Sequence, residues 1–150
     1  MQARMDNPVI VIPEAMKTLV AFGNAAKGKG VPDTTLELVK LRASQINGCS
    51  LCALMHGTDM RKAGETDERL LTVAAWREAP FFTDAERVAL ELTEVLTRMA
   101  DKGDPVSDEL WARVREHYDD RGVSALLVTV AAINSWNRIN AATRQVAGSW

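Results

Sequence analysis

The sequence predicts an all-α bundle, and three observations predict it. Apolar residues recur three and four apart along most of the chain. Capping residues, glycines and prolines divide these stretches into segments of one helix each. The only β-like run, Val9-Ile10-Val11-Ile12, is too short to build a sheet. At 150 residues the chain has the length of one domain, 1–150. No internal repeat, low-complexity tract or long linker divides it.

The elements follow in order. Pro13 opens the first helix, because its fixed φ and missing N–H suit a first helical position. That helix carries Met16, Leu19, Val20 and Phe22; Gly23 is expected to interrupt it and Gly28-Lys29-Gly30 to end it. Pro32-Asp33 starts a second helix with Leu36, Val39, Ala43 and Ile46 at helical spacing, and Asn47-Gly48 breaks it. A third follows and closes at Gly64. The next runs from about Thr66 to Trp76, before Pro80. Thr83 and Glu86 have the spacing of a capping box ahead of Val88, Leu92, Val95, Leu96 and Met99. Asp101 to Asp108 is a solvated loop around Gly103 and Pro105, and Ser107 caps the helix after it. The last helix begins near Ser124 and holds Leu127, Val130, Ala131 and Ile133.

Composition narrows function. The apolar fraction of 47% and charged fraction of 25% are those of a soluble globular protein. A net charge of −2 offers no basic surface for nucleic acid. No stretch approaches the ~20 apolar residues of a membrane span, and Met1–Pro8 lacks the apolar core of a signal peptide. The cytoplasm is therefore the expected compartment. Thiols stay reduced there, so a close cysteine pair points to catalysis, redox cycling or metal.

Such a pair exists. Cys49 and Cys52 are the only cysteines, and His56 follows Cys52 by four residues. These spacings put two thiols and an imidazole on one helix face. Asn47-Gly48 sets both cysteines in the first turns of that helix, where free amides and the dipole favour thiolate. Cys49, nearer the end, should feel this most, whereas His56 can take a proton from Cys52. One sulfur can then attack a peroxide oxygen or a disulfide, and the other can resolve the product. A histidine base needs a partner to fix its tautomer. Glu37, on the preceding helix and flanked by Leu36 and Leu38, is the candidate. Lys40 competes for it at helical spacing.

The set of Glu37, Leu41-Arg42-Ala43-Ser44-Gln45-Ile46-Asn47-Gly48-Cys49, Cys52 and His56 resembles the signature of AhpD-like alkylhydroperoxidases of the carboxymuconolactone decarboxylase superfamily. Ile133-Asn134-Ser135-Trp136-Asn137-Arg138 resembles the final-helix motif of the small members. The resemblance runs from about Pro13 to Val146. It implies an all-α bundle in a symmetric homo-oligomer, a trimer or hexamer. It also implies thiol-dependent reduction of small organic hydroperoxides, or support of a peroxiredoxin or lipoyl protein by dithiol–disulfide exchange. No cofactor is implied; an external dithiol such as dihydrolipoamide supplies electrons. By analogy the proton relay runs Glu37 to His56 to Cys52, with Cys52 attacking and Cys49 resolving. The helix-end argument favours Cys49 instead, so the residues leave the order open. One position departs from the best-known peroxidases, which carry a second histidine where this chain has Leu51. The decarboxylase branch lacks the dithiol, so the intact pair argues against it.

Other readings stand beside this one. Cys49, Cys52, His56 and Glu37 are zinc-ligand types, although structural zinc sites usually bring two ligand pairs. Buried cysteines are often inert. The dithiol could also act as a redox sensor without turnover. Trp76, Trp111 and Trp136 read as core or subunit packing. Asn134, Asn137 and Arg138 read equally as site residues or as helix-end and subunit contacts. His117 reads as a solvated helix residue, and Trp150 as an apolar end with no assignable partner.

Overall fold

In the computed structural model, which describes residues 1–149, eight α-helices follow one another and no strand forms among those residues. They are α1 (Pro8–Val11), α2 (Pro13–Asn24), α3 (Asp33–Ile46), α4 (Ser50–Lys62), α5 (Asp67–Thr72), α6 (Asp84–Thr97), α7 (Asp108–His117) and α8 (Asp120–Ala142). A single 3-10 turn, Val73–Ala75, continues α5. Trp150 lies outside the described residues. Among those residues no helix is long and apolar enough to cross a membrane.

Local chemistry sets the helix starts. The side chains of Thr66, Ser107 and Asp119 accept from backbone amides at the heads of α5, α7 and α8. Thr83 and Glu86 form the expected reciprocal capping box on α6. The Val9–Ile12 run is not extended. Asn7 caps Val9 and Pro8 takes the first helical position, so a short helical turn forms. Gly23 does not interrupt α2; it lies within the helix and faces Ala132 of α8. Helix α8 starts four residues before Ser124, because Asp119 caps it and Gly122 is part of its first turn. A Cβ on Gly122 would come within 3.2 Å of Tyr118, so this glycine allows close packing at the head of α8. Leu127 and Ala131 face outward; Leu126, Val130 and Ile133 carry the buried face. Met99 falls beyond α6 and is exposed.

Helix α3 is the axis of the assembly and packs against α4, α6 and α8. Its Leu36 and Val39 join Val88 and Leu92 of α6, Val114 of α7 and Leu126 and Val130 of α8 in the largest apolar cluster. Leu38 and Leu41 face another, with Met60 of α4, Trp76 and Leu90 of α6. Helix α2 lies outside α8 and contributes no buried residue. Trp76 is buried, as a core reading requires, whereas Trp111 is 41% exposed.

One buried ion pair fastens α3 to α6. Glu94 accepts from Arg42 Nε at 2.7 Å, from the Trp76 indole at 3.0 Å and from Arg77 at 2.8 Å. Burial raises its carboxyl, but these donors outweigh burial and hold it at about 2 against an ordinary 4.5. Stability from this carboxylate is therefore complete above pH 4.5 and lost as pH falls toward 2. Glu94→Ala would strand Arg42, and the expected loss is about 3 kcal/mol by urea unfolding. The variant should also show a shallower fall in stability between those pH values. Wild-type stability and acid slope in Glu94→Ala would mean that the pair does not hold α3 on α6.

Candidate active site

The site begins at the turn between α3 and α4. Asn47 ends α3, and Gly48 takes φ +66°, the left-handed conformation that glycine adopts without strain. Gly48 N–H donates to Gln45 O at 3.3 Å and Cys49 N–H to Ser44 O at 3.0 Å, which closes the turn. Cys49 then sits outside the helix, as its N-cap, rather than in the first turn. Its Sγ accepts from the Cys52 amide at 3.4 Å. Cys52 occupies the first turn, and His56 stands one turn further on. Both thiols are free and buried, and His56 is buried with them. The sulfurs share a small cluster with Ala43 and Ile133, and Leu51 and Trp136 pack against it.

The turn folds α4 back on α3 and brings Glu37 to His56. Glu37 Oε2 lies 2.8 Å from His56 Nδ1, and Oε1 accepts from Lys40 Nζ at 2.6 Å. The two readings of Glu37 therefore coexist, one oxygen each. Burial raises the carboxyl, but the bonds from His56 and Lys40 pull it down to about 2. An ionised carboxylate only accepts, so Nδ1 must carry a proton and neutral His56 keeps its free lone pair on Nε2.

The thiols are unequal. A hydrogen bond from the Cys49 thiol lowers Cys52 most; burial opposes it, and Asn140, Asn137 and the nearby His56 add to the lowering. The same bond and burial push Cys49 up, against the Cys52 amide and Asn137. The hydrogen bonds at Cys52 thus lower its thiol, against the helix-end preference for Cys49.

Helix α8 supplies the remaining polar groups. Asn47 Nδ2 donates to Asn134 Oδ1 and Asn137 Oδ1, both at 2.9 Å. Asn137 Nδ2 donates to Ser44 Oγ at 3.1 Å. Asn140 Nδ2 donates to Cys52 Sγ at 3.3 Å, and its Oδ1 accepts from Asn7 Nδ2 at 2.8 Å. Asn134 and Asn137 thus hold the end of α3, while Arg138 and His117 are exposed. The sequence reading missed Asn140 and Asn7. The signal for Asn140 was the three-residue repeat Asn134, Asn137, Asn140; Asn7 carried a cap signal alone.

Among the described residues, one cluster brings three metal-ligand side chains together: Glu37, His56 and Asp59, with ligand atoms within 4.8 Å of one another. It contains neither sulfur, so the four-residue zinc set is not assembled. Asp59 is a site neighbour that sequence reading did not single out.

The model of the carboxymuconolactone decarboxylase family matches residues 13–95, which include Glu37, both cysteines and His56. YdfG of Bacillus subtilis strain 168, an uncharacterized protein, is 43% identical over 139 residues, 93% of each chain. The crystal structure of ATU0492 from Agrobacterium tumefaciens superposes with a TM-score of 0.89 at 32% identity, over 99% of this chain and 100% of that one. ATU0492 is a protein of unknown function likened to the antioxidant defence protein AhpD. The debrominase Bmp8 shares the fold, with a TM-score of 0.79 at 15% identity over 91% of this chain and 73% of its own.

The thiol asymmetry is open to titration of thiolate absorbance in Cys49→Ser and Cys52→Ser. Cys52 in the first variant should ionise at least about one pH unit below Cys49 in the second, a tenfold difference in acidity. The reverse order would put the acidic thiol at the helix cap.

Proposed function

The chain belongs to the carboxymuconolactone decarboxylase family and is AhpD-like, and from that premise we propose that it is a thiol peroxidase acting on small organic hydroperoxides. The observation that carries this reading is the Glu37–His56 pair at 2.8 Å, one helical turn from Cys52 of two adjacent thiols.

The chemistry runs in two steps. His56 Nε2 takes the Cys52 proton, and the thiolate attacks the terminal oxygen of the hydroperoxide. An S–O bond forms, the O–O bond breaks, and the alkoxide leaves with the proton returned by His56. Cys52 is then a sulfenic acid. Cys49 gives up its proton and attacks the Cys52 sulfur; the S–O bond breaks and water departs, leaving the Cys49–Cys52 disulfide. Glu37 keeps His56 in the tautomer that accepts on Nε2 and stabilises its charged form. An external dithiol of the dihydrolipoamide type, alone or on a lipoyl protein or peroxiredoxin partner, restores the thiols by exchange.

Leu51 and Trp136 beside the sulfurs support an apolar hydroperoxide over hydrogen peroxide as substrate. Exposed Ile10, Ile12, Met16 and Val20, on α1, α2 and the residue that joins them, support the expected homo-oligomer, since such a stripe is costly in water.

Reduced protein treated with one equivalent of cumene hydroperoxide should lose two hydrogens by intact mass and form a Cys49–Cys52 disulfide that dihydrolipoamide reverses. His56→Ala should slow this by ~10²-fold or more, the usual contribution of a positioned acid–base group. Thiols that persist, or that react no faster than free cysteine, would overturn the peroxidase reading. A single oxidation that dihydrolipoamide does not reverse would favour a redox sensor.

A further inference from the structure

We propose that Asn140 is a catalytic residue, the hydrogen-bond donor that holds Cys52 as thiolate, and that Asn7 is the positioning residue that fixes which end of the Asn140 amide meets the sulfur. The inference deepens the thiol chemistry above and rests on Cys52 as the ionised sulfur, but not on a peroxide as its substrate.

An asparagine amide has a donor end and an acceptor end. Against a sulfur they act oppositely: an N–H stabilises the thiolate, whereas a carbonyl accepts from S–H and stabilises the thiol. What the far end of the amide bonds decides between them. Asn140 Oδ1 accepts from Asn7 Nδ2 at 2.8 Å, which turns its Nδ2 to Cys52 Sγ at 3.3 Å. The orientation of Asn7 is settled in turn by the helix it caps. Pro8 has no N–H, so Asn7 Oδ1 accepts from Val9 N at 3.2 Å. The chain of bonds therefore starts at a backbone N–H, whose polarity cannot reverse, and ends at the sulfur. Each link has one direction.

The N-terminal segment is anchored on both sides of Asn7. Arg4 donates from its backbone N to Thr143 O and from its side chain to Ala142 O, both at 2.9 Å. Gln145 donates to Met5 O at 3.1 Å, and Val9 is buried. A segment so fixed can impose an orientation on Asn140, which is itself buried. The titratable groups acting on Cys52 are Cys49 and His56, both from the α4 segment; α8 presents the neutral amides Asn137 and Asn140. Asn7 adds no charge, so its influence runs through amide geometry.

Four variants test this: Asn140→Leu, Asn140→Asp, Asn7→Asp and Asn7→Thr. Both replacements at position 7 keep an acceptor for Val9 N; Asp has no donor for Asn140, and Thr replaces the amide N–H that reaches Asn140 Oδ1 by a hydroxyl on a side chain one atom shorter. Thiolate absorbance against pH, and the rate of Cys52 alkylation by iodoacetamide with the site mapped by mass, are measured in each. All four should raise the Cys52 midpoint by about one pH unit or more and slow alkylation at pH 7 about tenfold. Asn7→Asp and Asn7→Thr should keep the wild-type melting temperature within a few degrees, because the cap is retained. An unchanged midpoint in Asn140→Leu overturns the proposal. Should that variant fail to fold, an unchanged midpoint in Asn7→Thr does the same. A shift in Asn7→Asp without one in Asn7→Thr reports charge rather than orientation and overturns the role of Asn7. None of these readouts passes through peroxide turnover, so a failed peroxidase reading leaves the test intact.

Discussion

Two thiols and an imidazole buried where α3, α4 and α8 meet require polar partners, and much of the local structure follows from meeting that requirement. An unpaired polar group in such a place costs about 1–3 kcal/mol, a large fraction of a domain's net stability. The partners come from three directions. Glu37 on α3 takes His56, the α4 amides take Cys49, and the α8 asparagines take Cys52 and the end of α3. Among the described residues, Thr129 Oγ1 is the only buried side-chain nitrogen or oxygen with no hydrogen-bond partner. The junction is thus polar inside yet satisfied, which lets an ionisable sulfur sit in it.

Helix α3 serves both the scaffold and the site. Its Arg42 reaches Glu94 on α6, and its Glu37 reaches His56 on α4. The large apolar cluster holds the same helix against α6 and α8. A carboxylate held by His56 and Lys40 at once has little freedom to turn away, so the tautomer of His56 follows from the packing of α3. Glu37, on a helix fixed from three sides, thus holds the His56 ring from a rigid element.

How far the sequence is legible depends on the range of each interaction. Cys49, Cys52 and His56 lie within eight residues, and helical spacing alone sets them on one side of α4. Glu37 is readable because the short Asn47-Gly48 break must fold the neighbouring helix back on α3. The capping box at Thr83 and Glu86 is readable for the same reason, being local. Asn140 and Asn7 bond across 88 and 133 residues of separation, and nothing within a helical window reports such a pairing. An asparagine inside an apolar helix looks like a solvated residue until the partner helix is in place. The start of α8 lies four residues before Ser124, where Gly122 leaves room for Tyr118, a local detail that apolar periodicity does not carry. The placement of Cys49 as a cap rather than a first-turn residue is likewise a one-residue detail that spacing does not resolve. That one-residue shift lets the Cys49 sulfur accept from the Cys52 amide.

The central claim is that Cys52 is the attacking sulfur of a redox pair that Cys49 resolves. Trapping of sulfenic acid by dimedone after addition of an organic hydroperoxide, in Cys49→Ser and Cys52→Ser separately, tests it most directly. The account predicts a stoichiometric adduct on Cys52 in the first variant and little adduct in the second. An adduct that forms on Cys49 in the second variant, with Cys52 unreactive in the first, would contradict it.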